Sequence, residues 1–124
     1  MMHGVLFLYG DPIDYRPLSR EQFQEIPPRY LLHANFLEER LSEDSYSIMF
    51  VPGAPLILRN IPPITVPDGK YFMLGDNRDF SRDSRMYGFI DREKFLGRTS
   101  SVLISFRQHD RFQPRSGRFF LALR

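Results

Sequence analysis

The chain has 124 residues, enough for one domain with a modest core; 42% hydrophobic and 26% charged residues exclude a disordered chain. It holds no cysteine, so neither a disulfide framework nor a thiolate metal site can form. The net charge of +2 is too small to mark a nucleic-acid binder.

Residues 4–9, from Gly4 to Tyr9, predict a buried strand, followed by a turn at Gly10-Asp11-Pro12 and a return arm from Ile13. Ser19 with Gln22 three residues later is a weak helix-start signal, and Pro27-Pro28 is expected to end that helical turn. Residues 30–40 fit helix and strand patterns in part. The turn cluster at residues 42–45 and the alternation of residues 46–51 favour a β-hairpin. Residues 52–63 hold four prolines and predict an irregular connection, with Leu56, Ile57 and Leu58 packing somewhere. Pro67-Asp68-Gly69 is a strong turn signal, because proline presets φ and glycine relaxes it. Strands are expected at residues 70–74, 99–106 and 119–123, with a short turn at residues 91–96. The sum is a mostly β chain of antiparallel hairpins with irregular connections, read as a single domain over residues 1–124.

Charge is uneven along this order. Fifteen of the seventeen basic residues are arginine, and the two lysines are Lys70 and Lys94. In the C-terminal stretch Arg107, Arg111, Arg115, Arg118 and Arg124 face only Asp110. That excess is either a solvated face or a surface drawn to anionic lipid headgroups. No apolar run approaches the ~20 residues of a membrane-spanning helix, and no signal peptide is visible.

The densest polar run is Gly75-Asp76-Asn77-Arg78-Asp79-Phe80-Ser81-Arg82-Asp83-Ser84-Arg85, pinned between apolar residues 71–74 and Phe89-Ile90. No helix or strand period asks for such a run, so it predicts a structured loop with a task. With its flanks, Val66 to Leu74 before it and Tyr87-Gly88-Phe89-Ile90 and Leu96-Gly97-Arg98 after it, the run resembles the Gly-Asp-Asn-x-x-x-Ser-x-Asp-Ser-Arg signature of bacterial signal peptidase I. The resemblance covers residues 64–106. It implies a membrane-anchored serine endopeptidase that removes signal peptides on the outer face of the plasma membrane. Such an enzyme pairs a nucleophilic serine, in a Ser-Met-x-Pro motif, with a lysine general base. The lysine must be neutral to act, which burial in an apolar setting provides.

Neither catalytic motif is in this chain. Ser47-Ile48-Met49-Phe50-Val51-Pro52 only approximates the serine motif, and Lys70 and Lys94 both read as solvated surface lysines. Residues 4–12 resemble the strand and turn that follow the lysine motif in the family. The chain is therefore expected to correspond to the C-terminal portion of the catalytic fold and to be inactive alone, needing the missing half in cis or in trans. No catalytic residue is assigned.

What the resemblance implies for this chain is a supporting set: Gly75, Asp76, Asn77, Ser81, Asp83 and Arg85. Ser81 would hydrogen-bond near the lysine and orient it. Gly75 would allow close backbone approach. Asp83 and Arg85 would brace the loop as an ion pair, and Asn77 would bond its own backbone. The alternative is a loop serving fold stability alone, in a non-catalytic remnant or an interaction module that pairs through an exposed sheet edge. Asp76, Asp79 and Asp83 do not have Ca²⁺-loop spacing and are interleaved with arginines, and His3, His33 and His109 are isolated, so neither metal nor cofactor is expected.

Overall fold

The computed structural model describes residues 1–23 and 26–97, and beyond them residues 99, 101, 102, 106, 107, 113, 114, 121 and 122. The fold is mostly β. The chain divides into two compact units, Met1–Asp91 and Arg92–Arg124.

The first unit opens on a small hairpin, β1 (Phe7–Leu8) against β2 (Asp11–Pro12). Tyr9 and Gly10 between them both take positive φ, 53° and 97°. Two such residues in a row make the mirror-image turn whose twist suits a two-residue hairpin. The buried strand expected over residues 4–9 is therefore not formed. The turn folds the segment straight back on itself, and Phe7, Leu8 and Tyr9 are exposed, Tyr9 completely.

The centre of the unit is an antiparallel three-stranded sheet of β3 (Asp14–Leu18), β4 (Asn35–Leu41) and β5 (Asp44–Phe50), in that order. The β4–β5 hairpin expected from the alternation is present, closed by Ser42 and Glu43. Its register pairs Leu37 with Ile48 and Asn35 with Phe50, and on the opposite face Phe36 with Met49. One face thus buries Ile48, Phe50 and Glu39. On the other, buried Phe36 stacks on Phe23 with ring centres 4.2 Å apart.

Between β3 and β4, Arg20–Phe23 form a 3₁₀ turn, with Ser19 Oγ accepting from the Glu21 amide at 3.3 Å. The prolines expected to end this turn do something else. Pro28 opens a helical turn, α1 (Pro28–Leu31), because a first helical position needs no amide and suits the fixed φ of proline.

After β5 a second 3₁₀ turn spans Leu56–Arg59. Leu56 and Ile57 are exposed and Leu58 is half-buried, so of the packing expected for residues 56–58 only that of Leu58 is found. The flanking prolines keep this connection off any sheet, and its ties are polar ones through Leu58 O and Arg59. The Pro67-Asp68-Gly69 turn is present, with Gly69 at φ 71° and the Lys70 amide bonded to Pro67 O. It leads into β6 (Lys70–Tyr71), shorter than the expected strand over residues 70–74. Met73 instead exchanges bonds with Ser84, giving its amide to Ser84 Oγ and accepting the Ser84 amide. The polar loop follows, then α2 (Ser84–Tyr87) and β7 (Ile90–Asp91), which pairs with β6.

The second unit begins with a 3₁₀ turn, Arg92–Lys94. It holds β8 (Ser101–Val102), β9 (Phe106–Arg107), β10 (Gln113–Pro114) and β11 (Leu121–Ala122), pairing β8 with β11 and β9 with β10. β8 falls in the strand expected at residues 99–106 and β11 in that expected at residues 119–123, while β9 only overlaps the end of the first and β10 was not expected. Most other residues of this stretch lie outside the described set. His109 and the arginines at 111, 115, 118 and 124 lie outside it too. Among the described residues, no helix is long and apolar enough to cross a membrane.

Candidate functional site

The polar loop is built around two contacts between residues close in sequence. The first joins Asp83 and Arg85. Arg85 presents its fork to both carboxylate oxygens, Nε to Oδ1 at 2.8 Å and Nη2 to Oδ2 at 2.6 Å. Both side chains are almost wholly buried, 0% exposed for Arg85 and 6% for Asp83. Asp83 also caps α2 by accepting the Arg85 amide at 3.1 Å, and it accepts the Gly75 amide at 2.8 Å. Burial pushes the Asp83 carboxyl up. The Arg85 side-chain bond, the two amides and the Arg85 charge together outweigh that and bring it from 3.8 down to about 2. Arg85 also donates to Leu58 O and Arg78 O.

The second contact joins Gly75 and Ser81. A Cβ at position 75 would overlap both Oγ and Cβ of Ser81, and would lie 3.5 Å from Asp83 Oδ2. The glycine is thus required by close approach, and what approaches is Ser81. The Ser81 amide bonds Asn77 O at 2.9 Å, and Asn77 Oδ1 accepts the Phe80 amide at 3.2 Å. Asp76 is exposed, and its backbone oxygen accepts the Met49 amide. Gly75, Asn77, Ser81, Asp83 and Arg85 are therefore brought together, with Asp76 on the rim.

Two further pairs fasten the loop, one to the sheet and one to the 3₁₀ turn Leu56–Arg59, and neither was expected from sequence. Arg78 and Glu39, both buried, make a bidentate pair at 2.8 and 2.5 Å. The Tyr15 hydroxyl donates to Glu39 Oε2 at 2.8 Å and accepts the Leu6 amide at 3.0 Å. Burial first, and then the neighbouring Glu39 carboxylate, raise the Tyr15 hydroxyl to about 12 against the opposing Leu6 bond and Arg78 charge. Asp79 is gripped by Arg59, with Nε and Nη2 at 2.6 and 2.7 Å. The only sequence signal was an excess of charge with no periodicity, which names no partner 20 or 39 residues away.

The carboxylates weighed for a cation do not converge. Asp79 and Asp83 face arginines, and Asp76 faces solvent. Ser47 lies exposed on β5 opposite Glu38. Lys70 is 42% exposed and pairs with Asp91 at 3.0 Å. That exposed setting is not the buried apolar one in which a lysine base works. Lys94 is exposed on the second unit's first turn.

Comparison with known proteins places the sequence. The family model for signal peptidase, peptidase S26, matches residues 38–104, more than half of the chain. A signal peptidase I of Buchnera aphidicola subsp. Acyrthosiphon pisum is 32% identical over 91 residues, 67% of this chain and 29% of that protein. A signal peptidase I of Aquifex aeolicus is 36% identical over 97 residues, 77% of this chain and 32% of that protein. A probable signal peptidase I-2 of Synechocystis is 58% identical over 36 residues, 29% of this chain and 16% of that protein. The chain thus spans less than a third of the length of each of these relatives. With a family match over more than half of the chain and relatives above 30% identity over two thirds of it, the chain belongs to the signal peptidase, peptidase S26, family.

Proposed function

We propose that this chain carries the supporting half of a signal peptidase I active site, and that it does not hydrolyse peptides by itself. The proposed reaction is serine-type cleavage of signal peptides from secretory precursors at the outer face of the plasma membrane. The nucleophilic serine and the lysine base come from a segment supplied in cis or in trans. Ser81 orients the lysine by hydrogen bonding, and Asn77, Asp83 and Arg85 hold Ser81 in place, with Asp76 at the rim. The observation that carries this reading is the seating of Ser81 on Gly75, inside a loop clamped by a buried Asp83–Arg85 pair.

The test uses a synthetic peptide with a small-x-small cleavage site. The purified chain alone should give no turnover. Adding a polypeptide that carries the Ser-Met-x-Pro and lysine motifs of a relative should give cleavage, and Ser81→Ala should lower its rate about tenfold, the worth of one hydrogen bond of about 1.4 kcal/mol. Turnover by the chain alone that disappears with Ser47→Ala or Lys70→Ala would overturn the reading, as would a mixture that never cleaves.

A further inference from the structure

The loop is seated on the sheet by three contacts of different kinds. One is a backbone bridge: the Met49 amide bonds Asp76 O at 2.9 Å, and the Arg78 amide bonds Met49 O at 3.0 Å. Another is the buried Arg78–Glu39 pair. The third is Asp79, whose side chain is 0% exposed. Its carboxylate takes the Val51 amide at 2.6 Å and both bonds of the Arg59 fork. Arg59 Nη2 also donates to Val51 O at 3.1 Å, so three segments close into one ring: the exit of β5, the 3₁₀ turn at Leu56–Arg59 and the loop. The guanidinium lies over the buried Phe50 ring, 4.9 Å from its centre, and Arg59 O accepts the Gly4 amide. Arg59 is thus fixed from several sides before it reaches Asp79.

Asp79 stands midway between Asn77 and Ser81, the two ends of the turn that places the serine. A shift of Asp79 is carried into both ends. We propose that Arg59 is a positioning residue for Ser81, acting through Asp79. The fork, and not the charge alone, sets how deep the loop seats on the sheet and hence where the Ser81 hydroxyl points. Arginine suits this task because its planar donors are held in one geometry, whereas lysine offers a single flexible point charge. What Ser81 then orients rests on the function proposed above. The seating of the loop does not.

Amide hydrogen exchange on the purified chain, read residue by residue by NMR, tests the proposal. Arg59→Lys should speed exchange at Phe80 and Ser81 about tenfold or more while Leu37 and Ile48 in the central hairpin stay within about twofold. Asp79→Asn, which keeps shape but loses charge, should give the same local pattern. Lys70→Ala, which breaks an exposed pair elsewhere, should change neither set. In the reconstituted cleavage mixture, Arg59→Lys should lower kcat about tenfold with KM unchanged, as expected when one hydrogen bond's worth of positioning is lost. Parental exchange at Phe80 and Ser81 in both variants would overturn the proposal. So would uniform acceleration across the hairpin, or loss of the fold, since either would make Arg59 a general stabiliser. Failure of the mixture to cleave would sink the proposed function while leaving the exchange result to judge Arg59.

Discussion

Asp83 shows how much one side chain carries here. Its carboxylate meets the Arg85 fork, caps a helical turn and holds the amide of Gly75. Because both partners are buried, Asp83→Asn or Arg85→Ala leaves a polar group or a charge without its match, and we expect a loss of about 3–5 kcal/mol for the arginine deletion. Denaturant unfolding of parent and variant measures it. The same residue sets an acid limit. Its folded pKa is depressed to about 2 from 3.8, so below the ordinary value the unfolded chain takes up the proton first. The stabilisation is complete above about pH 5 and is lost as pH falls through 3.8 toward 2. A parent titrated over that window should lose more stability than Asp83→Asn. At this scale the local part of the site could be read from the chain, since Ser81, Asp83 and Arg85 stand within a few residues of their partners. Glu39 and Arg59 could not. Each looks like an ordinary surface charge until the fold brings Arg78 and Asp79 to it.

Elements followed sequence where a repeating pattern met a turn signal. The β4–β5 hairpin had both, a two-residue alternation and a polar turn, and its register follows from them. Residues 4–9 had only apolarity, which does not say whether anything will cover it. Pro28 had a strong rule attached, but the rule has two faces, since proline closes one helix and opens the next. The first hairpin yields a prediction. Phe7, Leu8 and Tyr9 are successive exposed apolar residues on a two-stranded ribbon, a surface open to a second copy of the chain. Sedimentation should show self-association of the parent, relieved by Phe7→Lys without loss of circular dichroism. A variant that unfolds, or a parent that stays a clean monomer at high concentration, would contradict it.

For the molecule as a whole, the described sheets are small and joined by irregular chain, so side-chain ion pairs do work that longer ladders do elsewhere. Composition signalled the mostly β character through its turn residues. It could not signal which charges would be buried, because burial of a charge depends on a partner and not on the residue. The spans of these pairs also set an order of events. The hairpin contacts of β4 with β5 close short loops, while the loop's anchors reach across 20, 28 and 39 residues. Long closures cost more chain entropy before they return any contact. The hairpin should therefore form the nucleus, and the signature loop should dock only after the folding barrier is crossed. In stopped-flow kinetics Asp79→Asn, which cuts two of these long anchors, should speed unfolding and leave refolding almost unchanged, whereas Ile48→Val should slow refolding. A loop that docks last also undocks first, so the segment that carries Ser81 should open to proteolysis and to remodelling by a partner before the central hairpin gives way.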